Sequence, residues 1–514
     1  MNVLTSIRIF IQNFFLRADK EYDRAFGPEW NPMRQLGTVA FYLYFVAAIT
    51  GIIVYVFFET SVNGAYESVE YMTNEQWWFA GIMRSLHRYS SDGMVLTMSL
   101  HLIREWSFDR YRGVRWYAWF TGVLVIWLLY VSGLSGYWLV WDQLAQYVAI
   151  GSMEWLDLLG IFGEPVATNF LAEGSLNDRF FTLLVFVHIF GPLFLLFMMW
   201  IHVIRVSQPK INPPRGLAIG TLVALTVLSL VNPAVSHLKA NLDVIPTELE
   251  LDWYYMAFYP LFDAWGPGVM WAVAIGGSLF VMAMPWLPPM RQHEPAVVTL
   301  DKCNGCKRCY EDCPYGAIEM VPRSDGLPYE QEAVVDAALC TRCGICVGAC
   351  PTSTPFRAED ELITGIDLVH LPLKGMRKMV DQAMQNATDG IVIVGCDHGQ
   401  KVDNIAGTAA VKLPCVAHMP PSFIDYMISQ GAKGVLVAGC PECGCRFRYG
   451  VQWMQDRLEG RRDPYLRKRV PRERIRTLWA SPLDEQLLNN TVKTFKDELA
   501  VLSDHVSETE NGDV

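Results

Sequence analysis

The sequence predicts an all-α membrane domain of six transmembrane helices, followed by a small α+β domain and an α/β domain. Two observations support this prediction. The 514 residues are 52% hydrophobic, and the long apolar runs lie before residue 290. All 13 cysteines lie after that point, in stretches of ordinary soluble composition. By composition, the chain therefore divides into a membrane part and a cysteine-bearing soluble part.

Six stretches of about twenty apolar residues are long enough to cross the hydrocarbon core of a bilayer. Arg and Lys are concentrated in the loops 104–115 and 205–215, whereas the loops 59–83 and 140–178 contain neither residue. Because positively charged loops stay in the cytoplasm, we expect both termini and everything after residue 290 to be cytoplasmic. The net charge of −11 gives no indication of nucleic-acid binding, and membrane lipid is the expected surrounding. The predicted spans are 37–58, 82–104, 116–139, 180–204, 216–233 and 267–288.

Two of these spans each carry a pair of histidines. His87 and His101 lie in the second span, and His188 and His202 lie in the fourth, both pairs fourteen residues apart. Fourteen residues are close to four helical turns, so each pair lies on one helix face, about 21 Å apart. The two spans run in the same direction, which places His87 level with His188 and His101 level with His202. Facing imidazoles at two depths predict two b-type haems. The alternative is four separate buried histidines.

Glycines repeat the same interval in the neighbouring spans. Gly37 and Gly51 lie in the first span, and Gly122 and Gly136 lie in the third. A residue without a side chain lets a flat macrocycle lie against the helix backbone. Close helix packing also favours glycine, but it does not explain the interval shared with the histidines. We therefore expect these four glycines to line the haem sites.

Eight cysteines of the soluble part form two copies of one motif. The stretches "CNGCKRCYEDCP" (303–314) and "CTRCGICVGACP" (340–351) both read C-x2-C-x2-C-x3-C-P. This is the spacing of a two-cluster bacterial ferredoxin, in which the fourth cysteine of each run binds the other cluster. Zinc is the alternative, and disulfides are disfavoured in the cytoplasm. The predicted ligands are Cys303, Cys306, Cys309 and Cys350 for one [4Fe–4S] cluster, and Cys340, Cys343, Cys346 and Cys313 for the other.

The remaining five cysteines follow short apolar stretches. "GIVIVGC", "AVKLPC" and "GVLVAGC" indicate buried strands, with helical segments near 420–430 and 450–459. Alternating β and α elements predict a parallel sheet, whose ligand sites gather at the carboxyl ends of the strands. We therefore expect one further iron–sulfur cluster there, with structural zinc as the alternative. The strands end at Cys396, Cys415 and Cys440, and "CPECGC" adds Cys443 and Cys445.

Residues 1–290 resemble the cytochrome b of bc-type complexes, most closely the split photosynthetic form with both pieces fused. The stretches that carry the resemblance are "RSLHRYSSDGMVL", "GLSGYWLVWDQ", "VFVHIFGP" and "IPTELELDWYY". The resemblance implies a four-helix haem bundle with two b haems and quinone chemistry at two membrane faces. The photosynthetic form attaches an extra haem through a cysteine where this chain has Gln35. A covalently bound third haem is therefore not expected.

The same resemblance implies a role for the loop between the fifth and sixth spans. The family's Pro–Glu–Trp–Tyr segment is Leu251–Asp252–Trp253–Tyr254 in this chain. In the family, the glutamate accepts a proton from quinol on the outer side, and aspartate keeps the acid on a shorter side chain. Asp252 and Tyr254 are the predicted catalytic residues. The alternative is an interfacial carboxylate beside a Trp–Tyr belt.

Residues 388–500 resemble the delta iron–sulfur subunit of methyl-viologen-reducing hydrogenase, which is associated with heterodisulfide-reductase-type flavoproteins. That family binds a [2Fe–2S] cluster, so the resemblance implies one here. Its "GC…C" pattern matches Cys440 and Cys445. Its early Cys-x2-Cys is reduced here to Cys396, because position 399 is glycine.

Together these features predict a membrane subunit of a respiratory redox complex in a prokaryotic cytoplasmic membrane. It would transfer electrons between quinone, two b haems and cytoplasmic clusters that dock to a flavoprotein or iron–sulfur oxidoreductase. One alternative is a haem and cluster relay without its own quinone chemistry. Another is a quinol-oxidising arm that also serves an outer Rieske or cytochrome subunit. The expected parts are a haem domain (1–215), a two-helix segment (216–290), a ferredoxin-like domain (291–362), a linker (363–387), a [2Fe–2S] domain (388–500) and a disordered acidic tail (501–514).

Overall fold

The computed structural model describes residues 3–161, 165, 176–204, 210–287, 294–358, 360 and 362–510, with side chains described as far as residue 502. The chain forms two compact units. One comprises residues 1–15 and 22–288, and the other comprises residues 16–21 and 289–514. The charged residue Arg205, one of those used to predict orientation, lies outside the described residues.

The first unit is helical throughout its regular elements. The structure has four helices that are long and apolar enough to cross a membrane, at Leu36–Phe57, Gly113–Val140, Asp178–Ile204 and Pro267–Trp286, among the residues it describes. In order, the α-helices are α1 Val3–Phe26, α2 Leu36–Phe57, α3 Gly64–Asn74, α4 Ile82–Ser107, α5 Trp116–Val140, α6 Gln143–Asp157, α7 Asp178–Ile204, α8 Arg215–Val231, α9 Tyr259–Trp265 and α10 Pro267–Ala283.

Two of the six predicted spans differ from these four. The predicted span 82–104 falls on α4, which is less apolar because it carries Arg84, Arg88 and Asp92. The predicted span 216–233 falls on α8, an apolar helix of 17 residues. Both segments are helical as expected, but neither has the length and apolar character of the other four.

Two antiparallel helix pairs form the core of the first unit, because α2 packs against α4 and α5 packs against α7. Leu43, Val125, Leu129, Leu195 and Tyr255 are buried together between these helices. Their contacts hold the opposing helix faces at a fixed register, and that register decides which side chains of α4 and α7 face each other.

The second unit begins with small antiparallel elements. Strand β1 pairs with β4, and β2 pairs with β3, while one single-turn helix lies inside each of the two cysteine motifs. This arrangement is α+β, as predicted. These elements are β1 Ala296–Val298, α11 Arg308–Asp312, β2 Ile318–Pro322, β3 Gln331–Val335, α12 Ile345–Ala349 and β4 Ile366–Leu368.

A four-stranded parallel sheet follows, with strand order β6-β5-β7-β8. Strands β5 and β7 are buried along their whole length, which explains their continuous runs of Val, Ile and Leu. The three strands expected from the sequence are present, and β8 is an additional strand at the edge. The elements are α13 Leu373–Asn386, β5 Ile391–Cys396, β6 Thr408–Leu413, α14 Pro421–Ser429, β7 Gly434–Gly439, α15 Gly450–Leu458, β8 Ile475–Trp479 and α16 Glu485–Glu510.

Two segments of the second unit contain regular structure that the sequence did not predict. The segment 363–387, expected to be a linker, contains β4 and the amphipathic helix α13, whose Leu373, Met376 and Val380 are fully buried. The segment 501–514, expected to be disordered, continues α16 as far as Glu510. Leu499 and Leu502 are three residues apart in the sequence, a spacing that is typical of one face of a helix.

Candidate metal centres

His87 on α4 faces His188 on α7. Their ring centroids are 6.1 Å apart, with an angle of 76° between the rings. Two metal–nitrogen bonds of about 2.0–2.1 Å, plus about 1.1 Å from each nitrogen to its ring centre, give roughly 6.2–6.4 Å. The separation therefore fits one iron between the two imidazoles, as a haem with two axial histidines requires.

Hydrogen bonds orient these rings. His87 Nδ1 lies 2.8 Å from the Ala47 carbonyl oxygen, and His188 Nδ1 lies 3.0 Å from the Ser132 carbonyl oxygen. The Ser135 hydroxyl is a further partner of His188 Nδ1, at 3.2 Å. A carbonyl acceptor holds the ring proton on Nδ1 and leaves the Nε2 lone pair available to a metal. The donor set thus matches a bis-imidazole haem site.

The second histidine pair lies further along the same helices. His101 on α4 and His202 on α7 are close enough to interact electrostatically. His202 Nδ1 lies 3.1 Å from the Thr121 hydroxyl oxygen of α5, so its ring is also anchored through Nδ1. The structure thus brings together each of the two pairs that the interval of fourteen residues predicts.

The four glycines lie directly against the four histidine rings. A Cβ atom at Gly51 would lie 2.8 Å from His87 Cε1, and one at Gly136 would lie 2.8 Å from His188 Cε1. The corresponding distances are 3.5 Å for Gly37 and His101, and 3.2 Å for Gly122 and His202. The expectation that these glycines also leave space for a macrocycle against the backbone stays a prediction. Each glycine admits the imidazole ring from the antiparallel neighbouring helix.

Two cavities in the second unit are lined by the two predicted sets of four cysteines. The first cavity also borders Met320 and Ile366, and the second also borders Arg342 and Gly344. Among the described residues, no three or more His, Cys, Asp or Glu side chains are arranged for a single metal ion. The first cavity is lined by Cys303, Cys306, Cys309 and Cys350, and the second by Cys313, Cys340, Cys343 and Cys346.

The electrostatics of these thiols fit a cationic iron group. Burial raises the pKa of Cys309 and of Cys343 to about 12, so neither would be a thiolate without compensating positive charge. Bound metal supplies that charge and deprotonates the coordinating thiol. The Nε of Arg342, beside the second cavity, is buried without a hydrogen-bond partner. The first observation favours positively charged iron bound by the thiolates, and the second favours sulfur atoms that can accept a hydrogen bond beside Arg342.

Four of the five C-terminal cysteines converge at the carboxyl ends of the parallel strands. Cys440 forms thiol hydrogen bonds with Cys396 and Cys445, and Cys415 interacts electrostatically with Cys445 and Cys396. We call these four residues the C-terminal cysteine group. Cys443, predicted as a further member, is exposed and is not among the cysteines that these interactions join. It lies in the short helical turn Glu442–Gly444 that follows Pro441.

Cys445 is prepared as a thiolate. A hydrogen bond from Cys440 and backbone N–H groups of Val451, Phe447 and Gly450 lower its pKa to about 6. A low pKa of this kind favours metal binding, because the thiolate is the form that coordinates.

The three cysteine sites are adjacent. Cys309 of the first cavity interacts electrostatically with Cys346 of the second, and Cys343 of the second interacts with Cys415 of the C-terminal group. Cys343 and Cys415 also belong to one continuous hydrophobic core. The ion pair between Arg457 and Asp312 is fully buried between the two parts of this unit. The sequence gives no local signal for these contacts, since they join residues 37 or more positions apart.

The predicted catalytic residues Asp252 and Tyr254 do not converge. The Asp252 side chain is 2% exposed, and its Oδ2 accepts hydrogen bonds from Arg88 Nη2 at 2.8 Å and from the Tyr137 hydroxyl. Arg88 also pairs with Asp92, at 3.2 Å. The Tyr254 side chain is exposed, and its backbone N–H donates to Asp252 Oδ1 at 2.7 Å. Arg88, Asp92 and Tyr137 are thus part of this polar cluster, although sequence reasoning did not identify them.

Comparisons with known proteins agree with the order of these sites. Residues 23–209 match the cytochrome b/b6/petB family, 302–354 match the 4Fe-4S dicluster domain family, and 400–503 match the family of methyl-viologen-reducing hydrogenase delta subunits. The resemblances noted in the sequence are therefore confirmed.

Individual relatives match the first unit. Cytochrome b of Rickettsia typhi is 23% identical over 290 residues, which are 50% of this chain and 71% of that protein. Cytochrome b6 of Prochlorothrix hollandica is 29% identical over 191 residues, 36% of this chain and 84% of that protein. A solved structure titled "Hyperthermophilic respiratory Complex III" aligns with a TM-score of 0.42 at 18% identity, covering 49% of this chain and 74% of that one. The cytochrome b region implies haem, and the 4Fe-4S dicluster region implies iron–sulfur clusters. The chain is thus a multi-pass membrane electron-transfer protein with a cytochrome b region, a 4Fe-4S dicluster region and a hydrogenase-delta-like region, in that order.

Proposed function

We propose that this protein connects a membrane quinone to iron–sulfur clusters in its second unit, through two b haems bound by His87 with His188 and by His101 with His202. In this proposal the haems and clusters supply one-electron carriers. The histidines hold the iron of the haems, and the cysteines hold the clusters. The clusters would exchange electrons with a flavoprotein or iron–sulfur oxidoreductase on the cytoplasmic side of a prokaryotic membrane.

The observation that carries the proposal is the geometry of His87 and His188. Their rings are 6.1 Å apart, and both Nδ1 atoms are occupied by helix carbonyl groups. Four independently buried histidines would not need to face one another in this way, nor would each need a glycine opposite its ring. Direct metal ligation by Nε2 explains all three features.

The arrangement of the cysteines supports a continuous electron route. The first cavity, the second cavity and the C-terminal cysteine group adjoin in that order, through Cys309 with Cys346 and through Cys343 with Cys415. We assign a [4Fe–4S] cluster to each cavity and a [2Fe–2S] cluster to the C-terminal group, whose ligands would be its four cysteines. Structural zinc is the alternative for that last site.

Quinone chemistry is assigned to the surroundings of Asp252. Oxidation of a quinol to a quinone releases two electrons and two protons, so a nearby carboxylate is useful as a proton acceptor. Asp252 lies in one hydrogen-bonded cluster with Arg88, the residue that follows the haem ligand His87. In quinol oxidation the electrons and the protons leave by different routes. A proton acceptor beside the ligand of an electron carrier suits such a reaction.

One observation favours a second candidate, a relay without quinone chemistry at Asp252. The carboxylate is almost fully buried, and both of its oxygens already accept hydrogen bonds from protein groups. For the quinone proposal to hold, the ion pair with Arg88 must open when quinol binds. Replacement of Asp252 separates the two candidates, because a relay has no need of this carboxylate.

The proposed function is tested by spectroscopy of the purified full-length chain. We expect a b-type spectrum with two haems per chain, both extractable into acid acetone because no covalent link is expected at Gln35. The variant His202→Ala should lose one haem and keep the other. His237→Ala, which changes a loop histidine, is the matched control and should keep both. A chain without haem, or a His202→Ala variant with both haems intact, would contradict the proposal.

A further inference from the structure

His418 is a buried histidine in the short turn that follows Cys415. Its side chain is 0% exposed, and neither ring nitrogen has a hydrogen-bond partner among the described residues. Buried polar groups in folded proteins are nearly always hydrogen-bonded, and an exception points to a group that the protein chain itself does not supply. Burial and the neighbouring His370 lower the pKa of His418 to about 3, so its ring is neutral and carries one N–H.

The ring lies against the cysteine loop of the second cavity. A Cβ atom at Gly344 would lie 2.4 Å from His418 Cγ and 2.8 Å from its Nδ1. Gly344 directly follows Cys343 and lines the second cavity. Its φ of 77° is in the left-handed region, so glycine here serves both the backbone turn and the approach of the imidazole.

The turn that carries His418 is held rigidly against the same loop. The Ala417 carbonyl oxygen accepts a hydrogen bond from Arg457 Nη1 at 2.9 Å, inside the protein. A Cβ atom at Gly348 on α12 would lie only 2.0 Å from that oxygen, so the turn and the helix are in direct contact. His418 is therefore fixed relative to the cysteines of the second cavity and cannot swing out to water.

We propose that the His418 ring donates an N–H hydrogen bond to a sulfur atom of the cluster in the second cavity, and that it raises the reduction potential of this cluster. The inference rests on the proposed function, since it requires a cluster at that site. His418 is then a positioning residue that adjusts the potential of the carrier next to the C-terminal cysteine group. Hydrogen bonds to cluster sulfur are one of the means by which proteins set such potentials.

The first cavity provides an internal reference in the same chain. In its motif, Lys307 occupies the position that Gly344 occupies in the second, and its φ of 65° shows the same backbone turn. Lys307 is exposed, so this position of the first loop faces solvent, whereas Gly344 lies against a buried imidazole. A change at His418 should therefore alter the second cluster and leave the first cluster unchanged.

The test is a redox titration of the full-length protein, followed by electron paramagnetic resonance of both four-iron clusters. His418→Phe keeps a ring of similar shape but removes the N–H. Because a donor stabilises the more negative reduced cluster, its loss should disfavour reduction about tenfold, which is a shift of about 59 mV to lower potential. His418→Gln keeps an N–H donor and should recover part of the shift. Met419→Leu, an apolar change at the next buried position, is the matched control and should give none.

The outcomes separate this inference from the proposed function. A shift confined to one of the two clusters supports it. Unshifted potentials, or equal shifts in both clusters, would overturn it while leaving the clusters themselves established. Absence of iron and sulfide from the wild-type chain would overturn both.

A second measurement does not depend on the folding of any variant. In wild-type protein labelled with ¹⁵N-histidine, pulsed resonance of the second cluster should detect weak nitrogen coupling and one exchangeable proton. Strong coupling would make His418 a direct ligand, and no coupling would leave it unconnected to the cluster. Either result would overturn the hydrogen-bond assignment.

Discussion

Replacing Gly51 with alanine tests whether the glycines exist to admit the histidine rings. The new Cβ atom would lie 2.8 Å from His87 Cε1 and 3.1 Å from its Nδ1. Carbon atoms pack at about 3.5–4.0 Å, so the ring must move by roughly 0.7 Å or more. Overpacking of this kind costs about 1–3 kcal/mol. If this cost appears in haem binding, affinity at the His87/His188 site falls by about 5- to 150-fold.

The matched control is Gly37→Ala. Its Cβ atom would lie 3.5 Å from His101 Cε1, an ordinary contact distance, so both haems should be retained. The assay is the number of haems per purified chain, measured by the alkaline pyridine spectrum, together with a redox titration that resolves the two haems. Two wild-type haems in Gly51→Ala would refute the reasoning, as would an equal loss in both variants.

Three further predictions concern the other sites. Asp252→Asn keeps a hydrogen-bonding side chain but cannot take up a proton, so haem reduction by added quinol should slow at least about tenfold. Reduction of the haems by dithionite should be unchanged. The control is Asp263→Asn, which changes an exposed carboxylate that accepts a hydrogen bond from Tyr147. Wild-type quinol kinetics in Asp252→Asn would favour the relay without quinone chemistry. Cys440→Ser should delete only the C-terminal cluster signal, whereas Cys443→Ser should not, and stoichiometric zinc at this site would contradict the electron route. Arg457→Leu leaves Asp312 buried, with Arg462 as its remaining partner. Chemical denaturation should therefore show that the free energy of unfolding of the second unit falls by up to about 3–5 kcal/mol. An unchanged denaturation midpoint would contradict this prediction.

The haem-site geometry could be predicted because it depends on helical periodicity alone. His87 and His101 share a face of α4 by spacing, and two spans that run in the same direction bring them level with the pair on α7. The same spacing identified the four glycines but did not predict which group they contact. The sequence does not tell whether a histidine imidazole or a haem macrocycle lies against each glycine. Haem binding itself stays a prediction.

What the sequence did not predict depends on contacts between distant segments. Arg88 and Asp252 are far apart along the chain, and only the packing of the loop against α4 and α5 joins them with Tyr137. His418 has no motif of its own, and its role can be inferred only from its burial against Gly344.

The helix within the expected linker and the exposure of Cys443 could not be predicted, for local reasons. Apolar residues of α13 are separated by charged and polar ones, so the segment 363–387 has the average composition of a connection. Its helical period shows that one face is buried. Cys443 shares a short cysteine-rich stretch with Cys440 and Cys445, and spacing alone does not tell which of the three turns outward.

The central claim is that electrons pass between quinone and the clusters through the histidine-bound haems. The most direct measurement is the rate at which reduced viologen, a low-potential donor, drives quinone reduction by the full-length protein in lipid vesicles. The proposal predicts that this rate falls to the background of empty vesicles both in Cys440→Ser and in His188→Ala. A wild-type rate in either variant would show that electrons bypass that centre, and would contradict the route.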